Sequence, residues 1–274
     1  MKKIHIIQTL CLAAFLSVSA TPAMPAAPNA ADGDIPAIRK FDQATLEKLG
    51  VAIHEQDIRA ALATDLLHAK KTKRQLEKEG MLGWIVEGDA PDMTVLFIKQ
   101  GNLGLEAAYS VKFSEKRKPV LEVPASPALT GRQRALFEAR KLASQNIKRP
   151  CSRTYNVVML PDPEKDGLLV YALAATTVAG EVMMGGHYRF TISSDGKRLE
   201  RADALSLSCL TMSKRPKDAP PDARIAAITV TTLVADKPQE THIYLSLLHK
   251  IPIYVMSPEH HMWEVAEGKM RRIN

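Results

Sequence analysis

The stretch that most constrains this chain is LGLEAAYSVKF, residues 103–113. Leu105, Ala107, Tyr109, Val111 and Phe113 alternate with Glu106, Ala108, Ser110 and Lys112. Successive side chains leave a strand on opposite faces. A period of two therefore predicts one buried face and one wet face, the habit of antiparallel sheets. Similar β-rich runs lie on either side. GWIVEG (83–88) and MTVLFIKQG (93–101) precede it. YNVVML, LLVYALAATT, EVMMGGHYRFTIS, a run to about Leu210, RIAAITVTTLVAD, THIYLSLLHK, IPIYVMS and HHMWEV follow. Turn chemistry separates them: PDPEKDG at 161–167, SDGK at 194–197 and AEGK at 266–269.

Two segments carry a helical period instead. In Glu55–Glu79, Ile58, Ala61, Leu62, Leu66, Ala69 and Leu76 fall near one face, and Gly80 ends the run. At 131–145, Ala135, Leu136, Ala139, Leu142 and Ala143 form a stripe. Thr130 caps it with Gln133 three residues on, and Pro150 stops it. Two main helices packed on a mostly antiparallel sheet of hairpins and meanders predict the α+β class.

The N-terminus reads as a secretory leader in the bacterial style. Lys2 and Lys3 precede a short apolar run, Leu10–Ala20, ending in the small residues Val18-Ser19-Ala20. Residues 1–20 are the expected signal peptide, and the alternative is an uncleaved anchor. Residues 21–40, rich in Ala and Pro, are the expected flexible tether. Residues 41–125 form an N-terminal helix with antiparallel strands, and 126–274 a helix with a β-rich C-terminal region. No later run is long enough to span a bilayer, so no transmembrane segment is expected after cleavage. The expected location is the periplasm or the extracellular space.

Two cysteines lie outside the leader, Cys151 and Cys209. In an oxidising compartment an isolated pair reads as a disulfide; the alternative is free thiols. The formal charge is +7, or +5 without the two leader lysines. Outside the cytoplasm this excludes nucleic acid as the natural partner and favours an anionic envelope component or a protein. The candidate binding patch is Lys70, Lys71, Lys73 and Arg74. Arg132, Arg134, Arg140 and Lys141 extend it if the two helices lie side by side. An ordinary solvated surface is the plainer reading of the same charges.

Candidate catalytic residues are sparse. GGHYRF, 185–190, places His187, Tyr188 and Arg189 after two glycines. It reads as a kinked strand with satisfied polar groups, or as a site where His187 acts as a base and Arg189 grips an anion. His242 and His249, seven apart in an expected strand, would point to opposite faces. His260 and His261 sit at an expected turn. None of these spacings matches a metal-ligand pattern, and no metal or cofactor is expected. GxSxG, SxxK and phosphate-loop motifs are absent from the sequence. The expectation is an exported, non-catalytic binding or envelope-accessory protein. A secreted hydrolase centred on His187 is the alternative.

Overall fold

A computed structural model describes residues 37–102, 104–116, 118–176, 178–215, 220 and 223–274. The expected leader and most of the tether lie outside these residues. The described residues form one compact unit. Within residues 37–40, Ile38 is buried and Arg39 enters an ionic cluster described below.

The helices are α1 (Gln43–His68), α2 (Lys73–Lys78), α3 (Gly131–Gln145) and α4 (Glu240–His249). One four-stranded sheet comprises β1 (Met81–Asp89), β2 (Asp92–Gly101), β3 (Gly104–Lys112) and β4 (Leu121–Glu122), in that order. A second runs β5 (Thr154–Pro161), β6 (Leu168–Ala175), β8 (Tyr188–Ile192), β9 (Leu199–Ala204). Between β6 and β8 in the chain, β7 (Glu181–Met183) leaves to pair with β10 (Thr211–Ser213). A third four-stranded sheet runs β11 (Ile228–Thr231), β12 (Ile253–Met256), β13 (Met262–Ala266), β14 (Lys269–Arg272). The class is α+β and the sheets are mostly antiparallel; the exception is β11–β12, which pair in parallel.

Both faces of the central strands of the first two sheets are covered, while the edge strand β9 is largely exposed. From β6, Leu168, Val170 and Ala172 pack under α3, while Leu169, Tyr171 and Leu173 face α1, α4 and the third sheet. This explains the unbroken apolar run LLVYALAA, since a strand covered on both sides has no wet positions. In the first sheet, Ile85, Leu96 and Ile98 meet α3, whereas Val86, Val95 and Phe97 meet the second half of α1. The wet face expected for β3 therefore does not exist. Its alternation also changes phase. The β2–β3 register pairs Phe97 with Tyr109 but Ile98 with Ala107, so Ala108 is the extra residue of a bulge. Leu105 and Ala107 then pack on the α3 side, and Tyr109, Val111 and Phe113 on the α1 side.

Three elements differ from the sequence expectation. The single helix expected over 55–79 is two. α1 begins at Gln43, capped by Asp42, and ends at His68. α2 restarts behind Thr72, which forms a capping box with Gln75. THIYLSLLHK is not a strand but α4. Its residues Glu240–Ser246 are buried on every side, so it has no polar face to betray a helical period. It also supplies the crossover that the parallel β11–β12 pair requires. Finally, EVMMGGHYRFTIS is two strands. A Cβ at Gly185 would lie 2.2 Å from the Ser208 carbonyl oxygen, and one at Gly186 2.4 Å from Cys151 Cβ. The glycines let β7 turn away against the loop that carries the disulfide.

Candidate functional site

The residues of GGHYRF separate by strand alternation. Tyr188 packs on the α3 side, stacked on Phe190, and its hydroxyl donates to the Arg149 carbonyl. His187 and Arg189 face the other way and are buried. The three cannot act on one substrate. His187 Nδ1 accepts from the Ala174 amide at 3.0 Å, which leaves the ring proton on Nε2 to donate to the Met183 carbonyl at 2.9 Å. Burial lowers its pKa to about 4, so the ring is neutral and both nitrogens are occupied. That geometry gives His187 no lone pair for a general base.

Arg189 is the hub of a buried ionic cluster. Its Nη1 donates to Glu240 at 2.7 Å, its Nη2 to Asp203 at 3.0 Å and to the Arg39 carbonyl, and Phe41 lies under the guanidinium. Burial opposes its charge, but Glu240, Tyr171 and Asp203 outweigh that and raise its pKa. Outside this centre, Arg39 continues the network with a two-pronged contact to Asp162 at 2.5 and 2.8 Å. The sequence reading that Arg189 grips an external anion is thus corrected: its anions are internal.

Among the described residues the remaining histidines form no metal-holding group. His242 and His249 lie on α4, where seven residues bring them to the same side, not to opposite faces. His242 is buried and accepts from the Gln239 amide through Nδ1, and burial lowers its pKa to about 4. Among the described residues no three His, Cys, Asp or Glu side chains converge.

The basic patch divides. Lys70, Lys73 and Arg74 are exposed. Lys71 is not free: it pairs with Glu79 at 2.8 Å, and Tyr109 donates to the same carboxylate at 2.6 Å. α1 and α3 cover opposite faces of the first sheet. Arg132, Arg134, Arg140 and Lys141 therefore do not extend the α2 cluster.

Sequence reasoning did not single out Asp57. It is buried in α1 and accepts from Asn156 at 3.0 Å and Tyr244 at 2.8 Å. Burial raises its pKa. It borders a cavity of about 320 Å³ between α1, α4 and β6. Both oxygens already have donors, so its evident role is to pin α1 to β5 and α4.

Arg140 is the opposite case. It stacks on Trp84, with the guanidinium carbon 4.3 Å from the ring centroid, and its Nη1 reaches the Val157 carbonyl only at 3.5 Å. Among the described residues no carboxylate pairs with it. Burial alone moves its pKa, down to about 10, so it remains a cation. The Trp84 Nε1 beside it is buried without a hydrogen-bond partner. Gly83 admits the guanidinium, since a Cβ there would approach Arg140 Nε to 3.3 Å. A desolvated charge with no counter-ion is costly. This one lines a cleft of about 560 Å³ between α3 and the first sheet. Phe137, Arg140, Lys141 and Ser144 come from α3, and Leu82, Gln100 and Leu105 from β1, β2 and β3. Glu138 is the cleft's one acidic lining residue among those described, against two cations. The signal for Arg140 was present in the sequence: it stands four residues after Leu136 and three before Ala143, inside the apolar stripe of α3.

Comparison with known protein families, curated proteins and solved structures found no match.

Proposed function

We propose that this chain is an exported bacterial envelope protein that holds an anionic envelope component without transforming it, and that it does so in the cleft beside α3. Arg140 carries the reading, as a half-buried cation that has no carboxylate partner among the described residues and that lines a cleft of ligand size. Export is supported by the leader-like N-terminus and by the Cys151–Cys209 disulfide, which suits an oxidising compartment. Among the described residues no helix is long and apolar enough to cross a membrane. Binding is favoured over a hydrolase centred on His187 because both His187 ring nitrogens are held by the backbone. Lys70, Lys73 and Arg74, on the other face of the sheet, supply long-range attraction to the same kind of partner.

The test is co-sedimentation of the protein with vesicles containing phosphatidylglycerol and with purely phosphatidylcholine vesicles. Retention on the anionic vesicles should fall as salt rises from about 20 to about 150 mM, because exposed charges are screened within about 8–10 Å at the higher strength. Arg140→Gln should weaken it further at each salt. Equal retention on neutral vesicles, or no effect of Arg140→Gln, would remove this function.

A further inference from the structure

Taken as the binding site, the cleft beside α3 carries more chemical information than its charge, and the choice of ligand rests on that reading of the cleft. Both cationic and apolar residues line it. Arg140 lies against Trp84, beside exposed Lys141, Ser144 and Gln145, at the C-terminal end of α3. Phe137, one turn earlier, joins Leu82 and Leu105 from the sheet to form an apolar wall. Leu82 is half-exposed, and Leu105 is only partly buried. A small hydrophilic anion would satisfy Arg140 and leave this wall wet. A purely apolar ligand would cover the wall and leave the guanidinium without an acceptor. Only a ligand with both parts answers both surfaces.

We infer that the cleft takes a single-chain anionic amphiphile, with its carboxylate or phosphate head against Arg140 and Lys141 and its hydrocarbon chain along Leu82, Leu105 and Phe137. Ser144, Gln100 and Gln145 offer hydrogen bonds to the head or to a polar linker next to it. Glu138 on the same rim repels a second negative charge, which favours a head carrying one charge over a polyanion. The planar guanidinium, held against Trp84, presents paired N–H donors to a carboxylate or phosphate without first losing rotamer freedom.

The experiment reads Trp84 emission in the full chain carrying Trp263→Phe, so that the indole under Arg140 is the reporter. The probes are octanoate, decanoate and dodecanoate below their micelle concentrations, decyl phosphate, acetate, inorganic phosphate, decyltrimethylammonium and phosphatidylglycerol vesicles. Decanoate and decyl phosphate should shift the emission saturably, with affinity rising up to about fourfold per added methylene. Acetate, inorganic phosphate and the cationic amphiphile should bind at least tenfold more weakly than decanoate. A vesicle response that saturating decanoate abolishes assigns the head of a membrane lipid, whereas saturable decanoate binding with no vesicle response assigns a free amphiphile. A vesicle response that persists with decanoate bound would place the membrane contact outside the cleft and overturn a lipid source for it.

Arg140→Gln should abolish the response. Because that change also unstacks Trp84, Leu82→Glu is the second variant. It lies half-exposed at the mouth, keeps the core, and should weaken decanoate at least tenfold with an unchanged circular dichroism spectrum. Binding of acetate or inorganic phosphate as tight as that of decanoate would overturn the amphiphile while leaving the anion site in place. Vesicle retention with no Trp84 response to any soluble anion would overturn the cleft itself.

Discussion

Gly50 of α1 and Ile243 of α4 touch where the two helices cross. A Cβ built on Gly50 would stand 2.5 Å from Ile243 Cβ and 2.8 Å from the Glu240 carbonyl oxygen. The missing side chain sets how closely α4 approaches, and α4 in turn carries Glu240 to Arg189 and Tyr244 to Asp57.

Gly50→Ala should therefore destabilise, although alanine in a helix is intrinsically better than glycine by about 1 kcal/mol. Overpacking against a buried β-branched residue and a backbone carbonyl costs typically about 1–3 kcal/mol and should outweigh that gain. Urea unfolding should show a lower midpoint. Adding Ile243→Ala should not restore it, because the Ile243 Cβ and the Glu240 carbonyl oxygen that meet the new methyl both remain. An unchanged or raised midpoint for Gly50→Ala would show that α4 can shift freely.

Arg189 yields a second expectation. Removing it with Arg189→Met strands Glu240 and Asp203 in the interior. Glu240 is completely buried and its Oε2 already lacks a partner. Breaking a buried pair from one side costs about 3–5 kcal/mol, mostly from the charge left behind. Arg189→Met combined with Glu240→Gln should recover part of the loss, and the double-mutant cycle measures it. Additive single effects would contradict the coupling.

Some of this architecture was legible in the residues. The capping box Thr130–Gln133 fixed α3 at both ends, because the Pro150 stop and the stripe agreed with it. Thr72 and Gln75 carry the same signature, but a basic run that is compatible with helix masked the break between α1 and α2. α4 was hidden for a different reason. Ile243, Leu245 and Leu247 alternate like a strand, and burial on all sides removes the polar face that would have argued for a helix. The bulge at Ala108 leaves no mark on composition. For the site, the stripe of α3 pointed to Arg140 as an apolar-face arginine. That it lacks a carboxylate depends on which residues of β1 and β5 come to lie beside it, and that is tertiary information.

The buried imidazoles set an acid limit on stability. His187 and His242 are fully enclosed, and burial depresses both from the ordinary 6.5 to about 4. A group whose folded-state value is depressed favours the fold only while neutral. Its contribution is full above about pH 6.5 and is lost as the pH falls to about 4. At about 1.4 kcal/mol per pH unit, His187 alone accounts for about 3 kcal/mol. Asp57 works in the opposite direction, since burial raises its pKa and its protonation favours the folded state. The imidazoles outnumber it, so stability should decline between pH 6.5 and 4. His187→Asn, which keeps an acceptor for the Ala174 amide, should make that decline shallower by nearly one proton. An identical slope in the variant would show that His187 is protonated in the fold.

The disulfide contributes through the unfolded chain. Cys151 and Cys209 are joined across 58 positions, with Cα atoms 5.2 Å apart. The bridge ties the exit of α3 to the loop between β9 and β10. Cys151 is only partly buried and Cys209 is exposed, so the bridge adds little to the core. Its effect should then come from restricting the unfolded chain, about 4 kcal/mol for a loop of this length. The double variant Cys151→Ser with Cys209→Ser should fold to the same circular dichroism spectrum, with a lower urea midpoint. Its dependence on urea should be steeper, because an unbridged unfolded chain exposes more surface. Equal midpoints with and without reductant would mean that the cross-link constrains nothing the unfolded chain would otherwise explore.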